Sequence, residues 1–131
     1  PWVDGQALAS ALEGKLPGAA LRPLHFLPTF QKHAKQRCGG VQLHVTDRAV
    51  FRSYEAYLRI LQELLTRYPD APRYRSEEYE YVVDRPAIDL LTGGPEFRET
   101  VDAGSDLTPW LLREAAGAAA FGAQRKPFLL Y

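Results

Sequence analysis

The sequence predicts an α+β fold: a small three-stranded, mostly antiparallel sheet packed against several helices. Three observations carry that expectation. Apolar residues recur at three- and four-residue steps between Tyr54 and Tyr68, the pattern of one helical face. Val41, Leu43 and Val45 alternate with Gln42, His44 and Thr46, the period of a half-buried strand. Strand-like and helix-like segments follow one another without a regular strand–helix repeat, which favours helices gathered on one face of the sheet and leaves the other uncovered.

Taken in order, Asp4 can cap a first helix to about Glu13, with Ala7, Leu8, Ala11 and Leu12 on one stripe, before Leu16-Pro17-Gly18 stops it. Leu21 to Leu27 has strand character, and Pro23 and Pro28 restrict it to an edge or to its ends. A long polar loop, PTFQKHAKQRCGG, leads to the strand Val41–Thr46, which Asp47-Arg48 ends. The helix from Ser53 to Arg67 follows, with Ser53 as its expected cap, Glu55 near its positive end, and the tyrosine and leucine stripe as core. YEYVV at 79–83 is the expected third strand. Asp84-Arg85-Pro86 then opens a short helix to Leu91 that Thr92-Gly93-Gly94 closes. Glu96–Val101 is a further short helix, and Thr108-Pro109-Trp110 begins a last one running to about Phe121, with KPFLLY expected to dock as an apolar tail.

With 131 residues and 46% hydrophobic content, one domain with a real core is the expected count. Lys plus Arg and Asp plus Glu are both 16, so no net field attracts phosphate backbones or anionic lipid, and nucleic acid and membrane surfaces are poor partners. The small apolar run Ala115–Phe121 is too short to span a bilayer, and the first residues lack a signal-peptide pattern. The chain reads as soluble. Cys38 is the single cysteine, which excludes an internal disulfide and leaves the compartment open, including export as part of a larger protein.

Side-chain chemistry narrows the field further. His33, Cys38 and His44 are separated by four and five residues, which matches no usual zinc spacing, so no metal is expected. No nucleophile-elbow pattern surrounds Ser10, Ser53, Ser76 or Ser105, and neither Gly39-Gly40 nor Gly93-Gly94 sits in a nucleotide fingerprint, so no cofactor is implied. Carboxylate chemistry stays open at Asp47, Asp84 and Asp89. A glycosidase needs two carboxyls about 5 to 10 Å apart, one with a raised pKa. Asp47 is the best-placed acid, and its plain alternative is a turn-capping aspartate after a strand.

The segments PWVDGQALASAL, LPGAALRPLHFLPTFQKHAKQRCGGVQLHVTDR, YEYVVDRPAIDLLTGG and RKPFLLY resemble the C-terminal part of the bacterial exo-β-N-acetylmuramidase family, formerly catalogued as a domain of unknown function. The resemblance runs over essentially the whole chain. Its most specific portion is Pro28-Thr29-Phe30, then Lys32, Cys38, Gly40 and the block His44-Val45-Thr46-Asp47-Arg48. Lys35 departs from it, because the family commonly has a glycine there.

The resemblance implies that residues 1–131 are the smaller, C-terminal domain of a two-part glycoside hydrolase of cell-wall recycling, preceded by a Rossmann-like catalytic domain. The sugar is held between the two parts, and the enzyme releases terminal N-acetylmuramic acid from peptidoglycan fragments. The partners are then the muramyl sugar and the N-terminal domain of the same protein, and the main catalytic carboxylates lie outside this chain. Within that frame Asp47 and His44 are the candidate catalytic residues. Gln42 and Thr46 supply directional hydrogen bonds, and Lys32 or Arg48 meets the lactyl carboxylate, with His33 counted among the substrate contacts. For Gln42 plain solvent exposure is an equal alternative. The competing functions are a non-catalytic glycan- or protein-binding module and, less favoured, a stand-alone enzyme.

Overall fold

The structure is a computed structural model, which describes residues 1–130. The chain divides into two compact units, the first ending at Arg73 and the second beginning at Tyr74.

In the first unit, α1 (Gly5–Ala11) starts where Asp4 Oδ1 accepts hydrogen bonds from the Gln6 and Ala7 backbone N–H groups at 2.9 and 3.0 Å. That is the expected cap, satisfying donors a helix start leaves orphaned. The chain then forms β1 (Ala19–Phe26) and β2 (Cys38–Val45), paired antiparallel with Leu21 opposite Leu43 and Arg22 opposite Gln42. Leu21, Val41 and Leu43 lie on one face and pack against Leu8, Leu12 and Leu16 of the α1 region and against Ala56 and Ile60 of α2 (Ser53–Arg67). Arg22, Gln42 and His44 are exposed on the opposite face. The predicted alternation therefore holds through Leu43, while Val45, at the strand end, is 45% exposed.

The helix α2 occupies its predicted span, but its cap differs and its buried face agrees only in part: Leu58 and Leu65 are buried as expected, whereas the tyrosines are not. Arg52 stands at the cap position without a side-chain bond, and Ser53 is the first helical residue. The core takes Ala56, Ile60 and the partly buried Leu64, one residue every four. Tyr54 and Tyr57, expected in the core, are 43% and 62% exposed. Periodicity identified the helix, but two apolar stripes compete on this surface and the aliphatic one fits the sheet. Glu55–Arg59 and Glu63–Arg67 ion pairs one turn apart line its polar side.

Packing of α1 on the hairpin depends on two glycines in contact. A Cβ on Gly39 would lie 2.0 Å from the Val3 carbonyl oxygen, and one on Gly5 would lie 2.1 Å from the Gly40 oxygen. Backbone meets backbone here, which explains Gly39-Gly40 without any phosphate-binding role.

The second unit contains α3 (Ala87–Thr92), α4 (Glu96–Asp102), α5 (Thr108–Arg125) and a closing 3₁₀ turn, Lys126–Phe128. Phe97 and Leu107 are fully buried, and the Phe97 ring lies 6.0 Å from that of the buried Trp110. Gly93, in the left-handed region at φ 83°, ends α3 as expected.

The predicted third strand is absent among the described residues, so the sheet has two strands rather than three. Tyr79 and Val82 form one isolated bridge around Glu80 and Tyr81, whose φ values of 50° and 64° make a tight turn in the middle of the segment. β-propensity expresses itself only against a neighbouring strand, and Tyr81 and Val83 are instead 93% and 80% exposed. The C-terminal segment also departs from expectation: α5 continues to Arg125, and Phe128 and Leu130 are exposed rather than docked. Tyr131 lies outside the described residues.

Asp89, one of the open carboxylates, is committed to structure. Its two oxygens accept from Arg98 Nε and Nη2 at 2.8 and 2.7 Å, joining α3 to α4, with the Asp89 side chain 7% exposed. The hydrogen bond to Asp89 raises the Arg98 pKa above its ordinary value, with desolvation opposing and the Asp89 charge adding to the rise. A raised base contributes stability that is complete below its unfolded pKa and fades only as pH climbs through the higher folded one, so this contribution stays constant over the ordinary pH range. Asp89→Ala removes the bidentate partner of Arg98, which is 26% exposed and keeps only the more distant Glu99 at 4.0 Å, and is expected to lower Tm by about 5 °C. Asp89→Leu with Arg98→Met should recover most of that loss in the same thermal melt, because no charge is then stranded.

Candidate functional site

The sequence-predicted site residues fall into two groups at opposite ends of the β1–β2 hairpin. Lys32 and His33 sit in the loop joining Phe26 to Cys38, whereas Thr46, Asp47 and Arg48 follow the far end of β2. Strands of eight residues place those ends on the order of 25 Å apart. Gln42 and His44 lie between them on the uncovered face. One sugar residue cannot touch both ends.

At the Asp47 end, Thr46 and Asp47 donate their backbone N–H groups to the Gly18 carbonyl at 2.8 and 3.1 Å. Asp47 Oδ1 accepts from the Ala49 N–H at 2.9 Å, the turn-capping geometry that was its plain alternative. Asp47 and Arg48 are both exposed. The capping bond engages one carboxylate oxygen and leaves the second as an acceptor.

Midway along the face, Arg22 Nη2 donates to Gln42 Oε1 at 2.6 Å across the strand pair. Sequence reasoning missed Arg22. The signal was available only through register, since Arg22 lies 20 positions from Gln42 and becomes its neighbour when the two strands pair. The bond orients the Gln42 amide, and both residues are exposed, with guanidinium donors and the amide NH₂ beyond those it uses.

The loop end is built differently. Gln31, His33 and Lys35 all have left-handed backbone, with φ of 61°, 59° and 61°. The loop is held by a hydrogen bond from Lys35 N–H to the Pro28 carbonyl at 2.8 Å. The imidazole of His33 meets the indole of Trp2 edge to face, with centroids 5.1 Å apart and planes at 87°. Trp2 was another residue that sequence reasoning passed over, because only the folded loop brings it beside His33. Three non-glycine residues in the left-handed region store strain of the kind seen at ligand-contacting loops. The position expected to depart from the family glycine is one of them. Lys35→Gly keeps the hydrogen bond to Pro28 and removes a side chain that costs about 1–2 kcal/mol in this conformation, against about 0.5–1 kcal/mol of added chain entropy. A net gain of about 0.5–1 kcal/mol is expected as a higher urea midpoint.

Among the described residues no group of three or more His, Cys, Asp or Glu side chains is arranged to hold a metal ion. Cys38 is buried, and its thiol points to the Gln36 carbonyl at 3.5 Å. Among the same residues no helix is long and apolar enough to cross a membrane.

Comparison with known proteins places this geometry in context. The chain is 29% identical to the peptidoglycan beta-N-acetylmuramidase NamZ of Bacillus subtilis (strain 168) over 132 aligned positions, covering all of this chain and 30% of that protein. Its fold matches the crystal structure of a DUF1343 family protein from Bacteroides fragilis NCTC 9343 with a TM-score of 0.74 and 25% identity, over 99% of this chain and 33% of the other. The chain thus spans about a third of the length of each relative. The family model described as exo-beta-N-acetylmuramidase NamZ, C-terminal, matches residues 1–131, and the chain belongs to that family.

Proposed function

We propose that this chain is the cleft-forming C-terminal domain of an exo-β-N-acetylmuramidase, which releases terminal N-acetylmuramic acid from peptidoglycan fragments together with an N-terminal Rossmann-like catalytic domain. The observation that carries this reading is the uncovered face of the β1–β2 hairpin, where Arg22, Gln42 and His44 form an exposed polar row ending at Asp47 and Arg48. Sugars are recognised by directional hydrogen bonds from such fixed side chains. The muramidase activity named for the Bacillus subtilis relative supplies the substrate class.

In this reading the His44–Arg48 end takes the terminal muramic residue. Arg48 is the cation for its lactyl carboxylate, Gln42 and Thr46 bond to ring substituents, and His44 with Asp47 orients or protonates a group at the scissile bond. Lys32 and His33, a strand's length away, serve more distant parts of the same glycan. Hydrolysis itself requires the other domain.

The deciding experiment measures N-acetylmuramic acid released from a chromogenic muramide by this chain alone and by the chain joined to the family's larger domain. Turnover only in the joined protein supports the reading. Turnover by the isolated chain would make it a complete enzyme. Glycan binding with no turnover in either form would instead favour a non-catalytic binding module.

A further inference from the structure

An open groove of about 310 Å³ lies at the end of α2, lined by Trp2, Tyr68, Pro69, Asp70 and Pro72. Its volume is at the lower end of the range of ligand pockets, right for a small ligand rather than an extended macromolecular surface. Trp2 is 42% exposed, and its indole, braced by the edge-to-face contact with His33, gives the groove a fixed aromatic wall. Tyr68 Oη accepts the Asp4 backbone N–H at 2.7 Å, which fixes the phenol and leaves its own proton to donate. Arg67, also on the rim, is already paired with Glu63. Asp70, exposed at the groove edge, offers two acceptor oxygens.

A rigid apolar wall, one fixed hydroxyl donor and one carboxylate acceptor form a set whose rim cation, Arg67, is already neutralised by its own helix. It suits a neutral polyhydroxylated ring, whose C–H face lies on an aromatic surface while its hydroxyls reach donors and acceptors at the edge. An anionic ligand would meet Asp70 unfavourably. Because Trp2 touches the His33 loop, the groove lies at the hairpin end remote from Asp47.

We propose that the Trp2–Tyr68 groove is a remote saccharide subsite that holds an N-acetylhexosamine unit of a longer glycan, away from the terminal residue. This rests on the glycan-processing reading above and adds a length preference to it. The His44–Arg48 end selects the terminal sugar, and the Trp2 groove grips the chain further along.

The test uses the indole N–H resonances of the two tryptophans, of which Trp110 is buried and serves as the internal control. Titration with a peptide-free peptidoglycan tetrasaccharide should move the Trp2 signal saturably and leave Trp110 in place. Trp2→Ala should weaken binding about tenfold, the scale of one lost aromatic contact, and Trp2→Phe should restore part of it. Asp70→Ala, an exposed change that should not disturb folding, is expected to weaken binding severalfold. Free N-acetylmuramic acid should shift Trp2 far less than the tetrasaccharide. An unmoved Trp2 at millimolar tetrasaccharide, or equal shifts with an isolated stem peptide, would overturn the proposal. Failure here with normal turnover in the joined protein removes the subsite alone. A Trp2 response without turnover in the joined protein removes the hydrolase reading and leaves a glycan-binding groove.

Discussion

Gly39→Ala is expected to lower the melting temperature of the domain by more than about 10 °C, since the added methyl collides with the Val3 backbone that leads into α1 and must push that segment off the hairpin. The new Cβ would stand 2.0 Å from the Val3 carbonyl oxygen and 3.1 Å from its carbon, both backbone atoms that no rotamer change can move. Opening that contact also withdraws Leu8 and Leu12, at 1% and 4% exposure, from Leu21, Val41 and Leu43. Each leucine burial is worth about 1.5–3 kcal/mol, so a partial opening already exceeds the usual effect of a point substitution. Gly5→Ala strikes the Gly40 oxygen from the other side of the same junction. The double variant should therefore melt little below the worse single one, a non-additivity expected of changes that break one shared contact. Gly14→Ala is the control: its φ of 72° is unfavourable, but nothing lies within 4 Å of its Cβ. It should cost only about 1–2 kcal/mol. Thermal melts followed by circular dichroism would decide the matter, and a Gly39→Ala variant as stable as the parent would refute the packing described for α1.

The second large effect concerns catalysis. In the joined two-domain protein, Asp47→Asn is expected to reduce turnover about a hundredfold, the scale of a lost proton-transfer or positioning group. The substitution separates the turn-capping bond that the structure shows from the catalytic role proposed above for the carboxylate. An asparagine side-chain oxygen can still accept the Ala49 N–H now bound by Asp47 Oδ1, so the turn survives and Tm should change by no more than a couple of degrees. Only the charge is lost. Arg48→Ala should mainly raise KM for substrates carrying the lactyl carboxylate and have little effect on analogues without it. Unchanged turnover in Asp47→Asn would reduce this residue to a turn cap. Lost activity accompanied by a large fall in Tm would show that the turn, rather than the carboxylate, was what mattered.

Local signals in the chain were enough for the elements that depend on near neighbours. Asp4 as a cap, the span of α2, the glycine stop after α3 and the alternation of Val41 and Leu43 against Gln42 and His44 all follow from hydrogen bonding and periodicity within a few residues. The resemblance carried by the His44–Arg48 block likewise agrees with the family match over residues 1–131. A strand, however, exists only with a partner, and YEYVV turned back on itself at Glu80-Tyr81 because no described strand lies beside it. The same limitation applies to surfaces. The pattern of α2 offered tyrosines and aliphatics alike, and only the shape of the opposing sheet selected Ala56 and Ile60 for its core.

Sequence alone therefore determined the α+β character, the family and the identity of the polar strand face. Tertiary structure decided how those polar residues are distributed. Antiparallel pairing put Arg22 against Gln42, loop closure put Trp2 against His33, and the length of the hairpin held Lys32 and His33 away from Asp47 and Arg48. The physical reason is that helix caps and side-chain alternation are short-range properties of the backbone, whereas a binding surface is assembled from residues far apart in the chain, whose separation depends on packing and register.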